Sequence, residues 1–257
     1  MAAPAVPGSA RAGGGKLLHL LRHGQAQHNV NAERRRAEGC STAEFIQQMK
    51  DDDVFDAALT ETGRAQAEAC AASPACRAVK GSVQLVVASP LSRAVATADL
   101  AFPPAETPAA KRVSLESVRE IKGFLLSSRR RSAAELAALY PAWDFEGLPT
   151  DLDEACCEGQ EPDEAVRERA YSSLCWLWRR PETEIALVAH GGFFMRMTDG
   201  AHERVELLGE GLSEHFTNCE LRTCLLSATA PVPAEGAGGG GEPGSLRFQL
   251  ERAAVEP

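Results

Sequence analysis

Three short apolar runs in the chain end in residues that can handle an oxyanion. Lys16-Leu17-Leu18-His19-Leu20-Leu21 leads into Arg22-His23-Gly24. Val83 to Ala88 leads into Ser89-Pro90, with Arg93 close behind, and Glu184 to Ala189 leads into His190-Gly191-Gly192. Arginine offers a planar fork of donors matched to phosphoryl or carboxylate oxygens, and a neutral imidazole nitrogen is a nucleophile or proton carrier near neutral pH. Two histidines and two arginines at one place would make a cationic pocket for an anion. Helix N-termini just beyond the runs would add backbone N–H groups to it.

For these residues to converge, the runs must be neighbours in one sheet. Nearly continuous apolar runs suit strands covered on both faces, as in parallel sheets. Helical patterns lie between them. Thr60 can cap a helix through Ala65 to Ala71, and Ser89 and Pro90 are placed to start one over Leu91 to Leu100. From Pro162 to about Arg179, Val166, Ala170, Leu174, Leu177 and Trp178 repeat at intervals of three and four. Glu161, Asp163 and Glu164 at its start and Arg179 and Arg180 at its end suit the helix dipole, and Pro181 stops it. Asn218 to Ser227 and Ser245 to Ala253 read as further strands, joined by a Pro- and Gly-rich connector over residues 231–244 without the context of a phosphate loop. The alternation predicts a three-layer α/β/α domain with a largely parallel central sheet. Ligands of such sheets bind beyond the carboxyl ends of the strands.

Residues 1–15 read as a disordered arm and 16–257 as one domain, since 44 % apolar residues among 257 can cover a sizeable core. The net charge of −9 and the absence of a dense Lys/Arg stripe argue against nucleic acid or anionic lipid as partners. Uncharged stretches fall short of the ~20 apolar residues of a spanning helix, so no membrane partner is expected. Eight cysteines, with no Cys-x-x-Cys and no secretory leader, point to free, mostly buried thiols in a reducing, cytoplasmic compartment. His23 and His28 do not share a helical face and no His-Glu-x-x-His occurs, so neither a metal nor another cofactor is expected.

Leu21-Arg22-His23-Gly24-Gln25-Ala26-Gln27-His28-Asn29 resembles the Arg-His-Gly-x-x-x-x-Asn signature of the histidine phosphatase superfamily, the phosphoglycerate mutase-like family. Leu59 to Ala67, Ser89-Pro90-Leu91-Ser92-Arg93-Ala94 with Thr97-Ala98, Val118-Arg119-Glu120 and Val188-Ala189-His190-Gly191-Gly192 follow in the family's order, over residues 16 to 228. Tyr140-Pro141-Ala142-Trp143-Asp144-Phe145, Trp176-Leu177-Trp178 and Asn218-Cys219-Glu220-Leu221-Arg222 are most similar to plant and algal members. The resemblance implies a phosphoglycerate mutase-like fold and a metal-independent phosphomonoester hydrolase acting on a small phosphorylated metabolite. His23 would be the nucleophile that carries a phosphohistidine. Arg22, Arg93 and His190 would bind the equatorial oxygens, Asn29 would add a hydrogen bond to the phosphoryl group, and Glu120 would be the general acid.

Alternatives stand beside these roles. Glu116 could replace Glu120 as the acid. A mutase would return the phosphoryl group to a sugar acid, but Ile121-Lys122-Gly123-Phe124-Leu125-Leu126-Ser127-Ser128 departs from the Tyr-Gly-x-Leu-Gln-Gly-Leu-Asn-Lys segment of cofactor-dependent mutases. A non-catalytic phospholigand-binding module on the same fold is the third reading. Arg129-Arg130-Arg131 could meet a second anionic group or form a solvated turn paired with Asp151, Asp153 and Glu154. The region from Phe124 to Gln160 and the insertion holding Asp51-Asp52-Asp53 are expected to shape the mouth. His19 reads as core, His28 as a candidate pocket wall, and His202 and His215 as surface residues. The oligomeric state is not encoded in any of these patterns.

Overall fold

The computed structural model describes residues 14–41, 44, 47, 54–123, 125–154, 159–229 and 246–254. Most of the arm, Asp51 to Asp53, Phe124, Cys156, Cys157 and the connector over 231–244 lie outside the described residues. Among the described residues, seven strands form one sheet: β1 (Lys16–Arg22), β2 (Leu85–Ala88), β3 (Lys111–Ser114), β4 (Glu184–Ala189), β5 (Val205–Leu208), β6 (Leu221–Thr229) and β7 (Arg247–Arg252). Their order is β3-β2-β4-β1-β6-β7-β5, and only β6 runs against the others.

Side-chain alternation along the strands divides the core in two. Leu18, Leu20, Val87, Ile185 and Leu187 point to one face, where they pack with α6 (Asp163–Arg179) and α7 (Gly191–Met197). Leu21, Val86, Ala88, Ala186 and Val188 point to the other, against α2 (Glu61–Ala72), α3 (Pro74–Lys80), α4 (Ser92–Ala101) and α5 (Ala133–Leu139). Helices on both faces of a mostly parallel sheet make the expected three layers. The four parallel neighbours β3, β2, β4 and β1 deliver their carboxyl ends to one edge, and α1 (Gln27–Ala37) starts there directly after the first strand.

Local chemistry accounts for several boundaries. Thr60 Oγ1 accepts from the Gly63 amide and opens α2, as expected, and α6 runs from Asp163 to Arg179. Ser89 does not cap the next helix: α4 begins at Ser92, and the Leu91 N-cap makes no side-chain cap bond. Asp56 does that work from another part of the chain, accepting from the Ser92 amide at 2.9 Å and from the Ser92 hydroxyl. β6 and β7 start later than expected, at Leu221 and Arg247, and Cys219 (φ +56°) turns the chain before Leu221. β3 and β5, which sequence reading missed, are four-residue edge elements too short for a period to declare itself. His202 is 5 % exposed, not a surface residue; it stacks on Tyr171 at 4.8 Å and pairs with Glu168. His19 is buried between Thr223 and Glu184, and His215 is exposed.

Candidate active site

β1 ends in Arg22, and the turn after it presents His23, 1 % exposed. The His23 amide donates to Ala189 O at 3.0 Å and its carbonyl accepts from Asn218 Nδ2 at 2.9 Å, so the turn is held by β4 on one side and the approach to β6 on the other. Gly24 donates to Thr97 Oγ1 at 3.1 Å. A Cβ on Gly24 would lie 2.4 Å from the Gly63 carbonyl, so a glycine is needed where α2 meets this turn.

The ring of His23 is fixed at Nδ1, which lies 2.7 Å from the Gly24 carbonyl. A carbonyl can only accept, so Nδ1 carries the proton and Nε2 bears the lone pair, a tautomer assigned from this bond. Arg93 Nε donates to that Nε2 at 3.3 Å. Arg93 is fully buried on α4 and donates through Nη1 to Ser127 O at 2.6 Å, while its buried Nη2 has no partner. Arg22 Nη1 donates to Phe216 O at 2.6 Å.

His190, fully buried after β4, faces His23 edge-on with ring centroids 5.0 Å apart. Its Nε2 meets Ser89 Oγ at 2.7 Å, and the same oxygen accepts from the Leu91 amide at 3.3 Å. With the hydroxyl proton donated to Nε2, the ring proton sits on Nδ1, a buried atom without a protein partner. Burial pushes the imidazoles of His23, His28 and His190 well below the ordinary histidine pKa. The charge of Arg93 acts in the same direction on all three, and Arg22 on His23 and His28. Burial also lowers Arg93, to about 10, against the raising influence of Glu120 and Asp56. The site is therefore cationic through its arginines and neutral in its imidazoles.

Glu120 reaches it from beyond β3. Its oxygens accept from the Ile121 amide at 3.0 Å and the Gly192 amide at 3.3 Å. A Cβ on Gly192 would fall 2.4 Å from Oε1, so this glycine opens the space for the carboxylate. Glu116 is committed elsewhere, to Arg119 at 2.7 Å and Arg130 at 3.2 Å. Asn29 Oδ1 accepts from the Ala26 amide at 3.0 Å, and Nδ2 donates to His28 Nε2 at 3.2 Å. In this structure Asn29 thus orients His28, which lines a cavity together with Glu120 and Gly192.

The structure thus brings Arg22, His23, Arg93, His190 and Glu120 together, with Asn29 one side chain removed. Arg130 and Arg131 do not form a solvated turn. Arg130 is 2 % exposed and donates to the carbonyls of Thr150, Asp151 and Leu152, and Arg131 pairs with the buried Asp56 at 3.1 Å. Sequence reading assigned no role to Ser89 at His190, to Asp56, or to Asn218 at the His23 carbonyl. Thr97 and Asn218 do fall inside the stretches that carry the family resemblance, which was the available signal. Among the described residues, no group of three or more His, Cys, Asp or Glu side chains is arranged to hold a metal ion. No described helix is long and apolar enough to cross a membrane.

A doubly covered sheet with two histidines and two arginines at its carboxyl edge makes an α/β protein with a cationic pocket suited to an oxyanion. The profile of the histidine phosphatase superfamily, branch 1, matches residues 18–223, and the chain belongs to that family. A phosphoglycerate mutase-like protein of Arabidopsis thaliana is 32 % identical over 238 residues, 82 % of this chain and 84 % of the relative. Phosphoglycerate mutase-like protein 1 of the same plant is 28 % identical over 241 residues, covering 82 % and 81 %. Among solved structures, the ecdysone phosphate phosphatase of Bombix mori in complex with tungstate shares the fold at a TM-score of 0.52. It is 16 % identical, over 88 % of this chain and 98 % of that one.

Proposed function

We propose that the protein is a phosphomonoester hydrolase that works through a phosphohistidine on His23. The observation that carries this reading is the His23 tautomer: Nδ1–H is spent on the Gly24 carbonyl, which leaves the Nε2 lone pair facing the Arg93 side chain. A phosphate oxygen that takes over the Arg93 N–H frees Nε2 for attack. Nε2 then bonds to phosphorus as the bond to the leaving oxygen breaks, and Glu120 gives its proton to that oxygen. Arg22, Arg93 with its unpartnered Nη2, and the Nδ1–H of His190 stabilise the equatorial oxygens. In the second half, water attacks the phosphohistidine and passes a proton to Glu120. The N–P bond breaks, its electron pair returns to Nε2, and inorganic phosphate leaves. Membership of the histidine phosphatase superfamily supports the reaction class.

The test is release of phosphate from an aryl phosphate and from phosphorylated sugars and sugar acids in the presence of chelator, with His23→Ala in parallel. Chelator-resistant release that disappears in the variant is expected, together with an acid-labile phosphoryl group on the rapidly quenched wild-type protein. Release that survives in His23→Ala would remove the histidine from the mechanism. Transfer only to an added sugar acid, without release, would make the protein a mutase.

A further inference from the structure

Between the end of β5 at Leu208 and the start of β6 at Leu221 the chain is irregular, and one side chain gathers it. Arg222, the second residue of β6, lies opposite Leu20 of β1 and is 2 % exposed. Its Nη1 donates to the carbonyls of Gly211, Leu212 and Glu214 at 3.0, 3.2 and 2.7 Å, and its Nη2 to that of His215 at 3.1 Å. Its Nε donates to Glu220 Oε1 at 2.6 Å, while Glu220 Oε2 accepts from the Thr217 amide at 2.8 Å. A guanidinium holds its N–H donors in a fixed planar fork, which the ammonium of a lysine cannot imitate across four carbonyls and a carboxylate.

The gathered loop delivers Phe216. Its buried ring packs against both the Arg222 guanidinium, 3.8 Å from the ring centroid, and the Phe194 ring of α7, at 4.8 Å between centroids. The Phe216 carbonyl accepts from Arg22 Nη1 at 2.6 Å. The backbone of Arg22 is bound to the same segment: its amide donates to Glu220 O at 3.2 Å and its carbonyl accepts from the Cys219 amide at 3.1 Å. Arg22 is thus held at main chain and side chain by residues 216–220, and Arg222 fixes where the Phe216 carbonyl stands. A guanidinium whose direction is set before an anion arrives loses less conformational freedom on binding it.

We propose that Arg222 is a positioning residue for the phosphoryl site, acting through the Phe216 carbonyl on the guanidinium of Arg22. It deepens the phosphatase reading and rests on it for the role of Arg22. Arg222 itself meets no substrate, since its donors are spent on the loop and on Glu220. Its effect on phosphate must therefore pass through Arg22 and vanish when Arg22 is gone.

A double-mutant cycle tests it, with calorimetry of inorganic phosphate and kcat/KM for an aryl phosphate as its two readouts. Arg222→Met should weaken either by about tenfold or more, as loss of a charge-assisted contact does. The Arg22→Ala, Arg222→Met protein should be no worse than Arg22→Ala alone, a pattern that a purely structural role would not produce. Arg222→Lys, which keeps the charge without the fork, should fall between wild type and Arg222→Met. Phe216→Leu keeps the carbonyl but removes the stacked ring, and should show the same dependence on Arg22; it carries the cycle if Arg222→Met does not fold. Unchanged phosphate affinity and kcat/KM in the folded variants would overturn the proposal, as would losses that multiply with that of Arg22→Ala. Coupling seen in phosphate binding by a protein that hydrolyses no phosphomonoester would leave the role of Arg222 standing and count against the phosphatase reading, whereas a wild type that neither binds phosphate nor hydrolyses the ester would overturn both.

Discussion

His23 and His190 are the same side chain in two hydrogen-bonding settings. A carbonyl on Nδ1 makes His23 an acceptor at Nε2, and His190 is a donor at Nδ1 when the Ser89 hydroxyl gives its proton to Nε2. Glu120 is the residue whose role most needs a kinetic test. As general acid, it matters in proportion to how badly the leaving group needs a proton. Glu120→Gln should therefore slow alkyl phosphates by about 10²–10⁴-fold and an activated aryl phosphate far less. Equal slowing of both in kcat/KM, which reports the phosphorylation step and not the shared hydrolysis of the phosphohistidine, would exclude the acid role. In the sequence Glu120 was preferred through its place in Val118-Arg119-Glu120, with Glu116 as the alternative, because four residues of separation carry no information about partners. The choice comes from Arg119 and Arg130, which occupy Glu116.

At the scale of elements, the site turn is fastened to its helices. Thr60 both caps α2 and bonds Gln25, through its amide to the carbonyl at 3.0 Å and its hydroxyl to Oε1 at 2.9 Å. Gly63 on that helix presses on the same turn, and a Cβ there would lie 2.0 Å from the Gln25 carbonyl. Gly63→Ala should cost roughly 1–3 kcal/mol, as overpacking does, and should also lower kcat/KM, because relief comes only by moving the residues after His23. Ala65→Gly, on the exposed side of α2, should cost about 1 kcal/mol of helix propensity and leave kcat alone. Urea titrations with parallel kinetics separate the two; a Gly63→Ala protein with full activity would show that the turn is not fastened there. α1, with only Val30, Ala32 and Ala37 apolar, shows no period and was missed, whereas α2, α4, α6 and the doubly covered strands were legible from local repeats and apolar runs. The cap of α4 was not, since Asp56 is far away in sequence and the local residue of the right type, Ser89, is spent on His190.

For the whole molecule, the three buried imidazoles link stability to pH. Their folded pKa values are depressed, so below about pH 6.5 the unfolded chain binds protons that the folded protein does not. Stability should then fall as pH drops below that value, and be fully present above it. The urea midpoint should be lower at pH 5.5 than at pH 7.5, and inorganic phosphate should recover part of the loss by binding only the folded state. An unchanged midpoint would mean that the imidazoles are not held neutral. The expected layers and sheet were legible at this scale, because strand-end motifs and helical periods agree on one architecture. Which carboxylate each buried arginine reaches was not, since pairs such as Arg119 with Asp153 are far apart in sequence.

The position of β1 also has a consequence in time. Of the seven described strands it is made first, yet its two neighbours are β4 and β6, which the ribosome supplies some 165 and 205 residues later. Until then, Leu17 to Leu21 form an apolar strand with both edges open, the condition under which chains pair wrongly with each other. The pocket cannot form before His190 and Asn218, which lie far along the chain from His23, have been made, so the site and the burial of this apolar segment arrive together.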